Sequence, residues 1–88
     1  VGLHISFGMV VVPYIQNVVN NEKLEEIRKV FEFMEKMAAS EDVKVQEVLD
    51  FTVLEGLADE GHDVLERCKK NMKINTVQHC EEVEKYFY

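Results

Sequence analysis

The chain has 88 residues, with 17 acidic against 10 basic side chains and a formal charge of −7. That length suits one domain. A composition 47% hydrophobic and 31% charged supports a packed core rather than wholesale disorder. The acidic balance argues against nucleic acid, which demands a Lys/Arg footprint, and against anionic membrane surfaces.

The longest apolar run covers residues 9–12, far short of the roughly 18 residues of a membrane span. The basic n-region of a signal peptide is missing. The chain starts at Val1 rather than at a Met, so an upstream segment is expected. Cys68 and Cys80 are too few for a disulfide framework and read as reduced, packed thiols of a cytoplasmic protein, with a single bridge as the minor alternative.

One proline and four glycines punctuate the chain sparsely, which favours helices over a turn-rich β fold. Residues 3–19 carry two signals. Leu3, Ile5, Phe7, Met9 and Val11 alternate like a strand, whereas Val11, Tyr14, Ile15, Val18 and Val19 recur at helical spacing. Pro13 is incompatible with a central strand, so the segment reads as a helix kinked at Pro13 and closed by Asn20-Asn21.

A second helix comes next, with the stripe Leu24, Ile27, Phe31, Met34 and Ala38 widened by Val30, Phe33 and Met37. Asn21 is its expected N-cap, and Glu22, Glu25 and Glu26 favour its N-terminus. Ser40 or Asp42 caps a third helix over residues 43–58. Its apolar residues cover two sides: Val45, Val48, Leu49 and Thr52 on one, Phe51, Leu54, Leu57 and Ala58 on the other. That pattern describes a buried, central helix, in which Gly56 permits a close crossing.

Gly61 is the expected stop and Asp63 the cap of a fourth helix bearing Val64, Leu65, Cys68 and Met72. Lys69, Lys70 and Lys73 are expected in its last turn. Asn75 and Gln78 have capping-box spacing ahead of a fifth helix faced by Val77, Cys80, Val83 and Phe87, with Tyr86 and Tyr88 at the core edge. The expected fold is all-α: about five short antiparallel helices in a HEAT-like bundle, one domain over residues 1–88.

No catalytic constellation emerges. His4, His62 and His79 form no His-x-x-x-His pair and neighbour no nucleophile motif. His62, Cys68, His79 and Cys80 lack the spacing of a zinc knuckle, and the acidic loop at residues 59–63 lacks the EF-hand pattern. Neither metal nor cofactor is expected.

The informative feature is where the charge sits. Residues 41–66 hold nine acidic side chains (Glu41, Asp42, Glu47, Asp50, Glu55, Asp59, Glu60, Asp63 and Glu66) against Lys44 alone. The segment carries −8 and the remainder +1. It reads either as a solvated face or as a steering surface for a basic protein.

The series Phe7…Val12-Pro13-Tyr14-Ile15, then Ile27-Arg28-Lys29-Val30-Phe31-Glu32-Phe33-Met34-Glu35, and the block Glu41-Asp42-Val43 through Glu55-Gly56-Leu57, resemble small all-helical bacterial families. Some members are similar to immunity proteins encoded beside polymorphic or contact-dependent toxins. The resemblance implies a protein that occludes a toxin domain, often a basic nuclease, with an acidic surface mimicking phosphate.

The leading expectation is therefore a non-enzymatic binding protein, an immunity-type inhibitor of a basic toxin, with Glu55, Asp59, Glu60, Asp63 and Glu66 as partner contacts. The second is a self-associating helical-repeat structural or adaptor module, which light scattering would separate. The third is an enzyme with a buried carboxylate site.

Overall fold

The computed structural model describes residues 3–87, with side chains from Phe7 onward. The starting dipeptide Val1-Gly2, the side chains of residues 3–6, and Tyr88, expected at the core edge, lie outside the described residues.

All secondary structure among the described residues is helical. Helix α1 is Leu3–Asn20, with Pro13 inside it, and α2 is Leu24–Ala38. Helix α3 spans residues 43–60 without a break: an α turn at Val43–Glu47, π turns at Val48–Leu54, and α turns again at Glu55–Glu60. Helices α4, His62–Lys69, and α5, Ile74–Phe87, complete the chain. No helix among the described residues is long and apolar enough to cross a membrane.

The caps are set by local chemistry. Asp42 accepts the Lys44 N–H at 2.9 Å and Ser40 Oγ accepts the Asp42 N–H at 3.1 Å, so both expected residues act at the start of α3. Gly61 ends α3 at φ 135°, a conformation that favours glycine.

Three expected caps are corrected. Asn21 instead donates to the Asn17 carbonyl at 2.8 Å, and Lys23 occupies the N-cap position of α2 with no side-chain bond. Gly61 is also the N-cap position of α4, so Asp63 falls inside its first turn. Helix α5 starts at Ile74, which puts Asn75 within the helix rather than before it. Its first N–H groups, which have no partner within the helix, are met from another helix. Glu35 of α2 accepts from Asn75 N (3.2 Å) and Nδ2 (2.7 Å) with one oxygen, and from Thr76 N (3.0 Å) and Oγ1 (2.9 Å) with the other. Helix α4 ends at Lys69, so Lys73 lies beyond its last turn.

One core draws on every helix, through Ile15, Val18, Phe31, Met34, Leu49, Val53, Leu54, Leu57, Leu65, Cys68, Cys80 and Val83. Burial differs from the periodicity in α2, α3 and α5. Leu24 and Phe33 are exposed, Phe51, expected in the core, is 61% exposed, and Tyr86 and Phe87, expected at the core edge and on the core face, are exposed as well.

The contact of α1 with α3 has a regular register. A Cβ on Gly8 would lie 3.0 Å from Thr52 Cγ2, and one on Gly56 only 2.7 Å from Val12 Cγ2. One turn further along both helices, Gln16 Nε2 donates to Glu60 Oε1 at 3.3 Å. The three pairs ascend together, so α1 and α3 run in the same direction where they cross. Each glycine admits the β-branched side chain of the other helix.

Candidate functional site

The close crossing leaves an open groove of about 620 Å³ along the α1–α3 seam, lined by Gly8, Met9, Val12, Pro13, Phe51, Thr52, Gly56, Asp59 and Glu60. Both glycines of the crossing, Gly8 and Gly56, line it. Met9 and Phe51 stand at its sides, 72% and 61% exposed, large apolar groups left in water. Asp59 and Glu60 form its charged end at the C-terminus of α3, and none of the lining residues among those described is basic.

Phe51 lies within the π turns. A π turn holds more residues than an α turn and so shifts the register of the helix beyond it; such turns occur often at functional sites. Here they bury Leu49, Val53 and Leu54 while Phe51 stays outside and Thr52 meets Gly8.

The five expected contact residues divide between two places. Asp59 and Glu60 are exposed on the groove rim. Glu55 is half-buried one turn before them, and its carboxyl is pushed above the ordinary carboxylate range by burial first and then by the charges of Asp59 and Asp50. Those three carboxylates on one stretch of α3 therefore make a concentrated negative field.

Asp63 and Glu66 belong elsewhere, on α4 and outside the groove lining. Asp63 lies 3.9 Å from Arg67, and Glu66 lies 3.8 Å from His62. Asp50, another member of the acidic segment, pairs with His79 of α5 at 2.7 Å. The segment that is continuous in sequence thus wraps several faces of the molecule.

Two further features were not visible from spacing. Gly8, Met9 and Thr52 join Phe51 in the groove, although the only sequence signal was the pairing of Gly8 with Val12 and of Thr52 with Gly56 at four-residue separations. His62, Glu66 and Glu84 meet between α4 and α5, with one ligand atom of each within 4.8 Å of the others. The two cysteines stay out of that cluster. Both are free and buried, and burial is the main cause that pushes Cys68 up to about 11 and Cys80 up to about 12.

The family model described as "Domain of unknown function (DUF7674)" matches residues 2–88, and the chain belongs to that family. No curated protein and no solved structure matches it.

Proposed function

We propose that this domain is a non-enzymatic binding module whose α1–α3 groove receives a basic, apolar-bearing segment of a partner protein. The observation that carries the reading is the combination in one groove of exposed Met9 and Phe51 with the carboxylates of Asp59 and Glu60. An apolar strip supplies the buried contact area. The neighbouring carboxylates supply steering and select for positive charge.

The narrower form is an immunity-type protein that occludes a basic toxin domain. What supports it is charge complementarity between this acidic chain and a basic, nucleic-acid-binding enzyme. A toxin gene immediately upstream of this one strongly favours that form, and a metabolic operon weakens it badly. A cytoplasmic location belongs to the same reading, since two unbridged cysteines persist where thiols are kept reduced.

The test uses two synthetic amphipathic peptides, one Leu/Lys and one Leu/Glu, titrated into the full chain by fluorescence anisotropy. The Leu/Lys peptide is expected to bind and the Leu/Glu peptide to fail. Phe51→Ala and the double reversal Asp59→Lys, Glu60→Lys are each expected to weaken binding by about tenfold or more, roughly 1.4 kcal/mol. Asp63→Lys is expected to change it little. Equal binding of both peptides, or affinity untouched by the groove variants, overturns the reading. Concentration-dependent light scattering that Phe51→Ala abolishes would put a second copy in the groove instead.

A further inference from the structure

We infer that His62, Glu66 and Glu84 form a binding site for a divalent first-row transition metal ion that bridges α4 and α5. The inference is independent of the groove. His62 and Glu66 stand one turn apart on α4, and Glu84 comes from α5. His62 Nε2 lies 3.8 Å from Glu66 Oε2 and 4.0 Å from Glu84 Oε2.

Imidazole nitrogen and carboxylate oxygen are groups that ligate metals, and one such atom from each of the three side chains lies within 4.8 Å of the other two. Ions such as zinc bind imidazole nitrogen and carboxylate oxygen at about 2.0–2.2 Å, which sets ligand atoms about 3.4 Å apart in a tetrahedral shell. Closing the site shortens the His62–Glu66 and His62–Glu84 separations by about 0.5 Å and draws together two carboxylate oxygens that lie within 4.8 Å of one another. The mixed nitrogen and oxygen donors select a transition ion over calcium or magnesium.

The surroundings prepare one of the three ligands. Lys69 Nζ donates to Glu84 Oε1 at 2.8 Å, while the other oxygen, Oε2, is the one nearest His62. A ligating carboxylate held through its second oxygen is the usual arrangement of an outer shell. Glu84 is the least exposed of the three, at 18% of its side-chain surface, whereas His62 and Glu66 are about half exposed. Water has access to the remaining coordination positions. The ion would tie α4, a helix of eight residues, to the last helix of the fold.

Zinc chloride titrated into the untagged full chain by calorimetry is expected to bind at about one equivalent and to raise the melting temperature, since a ligand of the native state stabilises it. His62→Gln and Glu66→Gln are each expected to weaken zinc by about tenfold or more. Glu66→Gln leaves the Lys69–Glu84 pair in place, and circular dichroism checks that each variant folds. His79→Gln is expected to leave the affinity within about twofold. Cobalt in place of zinc is expected to give visible d–d bands without thiolate charge-transfer absorption. Absence of zinc binding to the wild-type chain overturns the inference. So does a thiolate signature from Cys68 or Cys80, or an affinity that His62→Gln and Glu66→Gln leave unchanged.

Discussion

Val12 of α1 sits over Gly56 of α3 so closely that a methyl group on Gly56 would come within 2.7 Å of Val12 Cγ2. Glycine in a helix interior ordinarily costs about 1 kcal/mol relative to alanine. Gly56→Ala therefore sets a propensity gain against a clash. Valine is stiff about χ1 in a helix, and Val12 is buried, so the clash wins. The expected result is destabilisation by about 1–3 kcal/mol, the range for overpacking. Adding Val12→Ala is expected to recover part of the loss by removing the obstructing methyl. Urea unfolding of the single and double variants measures both effects.

Glu35 ties the end of α2 to the start of α5 through Asn75 and Thr76. Thr76 is the buried polar residue among those described, and its hydroxyl and N–H both reach Glu35. Glu35→Ala would orphan those donors, at about 1–3 kcal/mol for a buried group. Glu35→Gln is expected to lose less, because its amide oxygen still accepts. Chemical denaturation ranks the two variants, and equal stability of all three proteins would sink the assignment of this carboxylate as a cap.

The same carboxylate sets an acid limit. Burial opposes its ionisation, but the hydrogen bonds from Thr76 and Asn75 prevail and hold its pKa below the ordinary value. A depressed native pKa means that the unfolded chain binds the proton more readily. The stabilisation is present above the unfolded pKa of about 4.3 and is lost as pH falls through the native value. Glu55 has the opposite sign: its raised pKa makes its ionised form unfavourable at neutral pH. Melting temperature followed from pH 7 downward is expected to fall below about pH 4.3, and to fall less steeply in Glu35→Gln. Glu55→Gln is expected to melt slightly higher than wild type at pH 7.

The helices were legible because their apolar periodicity and breakers are local signals. Gly61 stops α3, Asp42 caps it, and Gly56 permits the crossing, each from its own chemistry. The caps of α2 and α5 were not legible. Asn75 has the right residue type, yet the group that satisfies the start of α5 is Glu35, distant in sequence. The groove was half legible. Asp59 and Glu60 announced themselves by charge, whereas Phe51 reads as core until the π turns of α3 are known. Asp63 and Glu66 illustrate the remaining gap. A run of charge in sequence becomes one surface only if the helices carrying it face the same way, and the turn at Gly61 redirects the chain between Glu60 and Asp63.

Cys68 and Cys80 offer a check on the core that needs no mutation. Both are free, buried to about 1% exposure or less, and pushed up to about 11 and about 12 chiefly by burial. The thiolate is the reactive form, and at pH 8 both thiols lie far below their pKa values. Native protein is expected to leave both unlabelled by iodoacetamide over minutes at that pH. In denaturant both should react quickly, because unfolding returns them to about 8.5. Intermediate urea concentrations are expected to label the two together if the core opens as one unit. Earlier labelling of Cys80 would mean that α5 detaches from Glu35 before the rest unfolds, and mass spectrometry of the labelled peptides distinguishes the two courses.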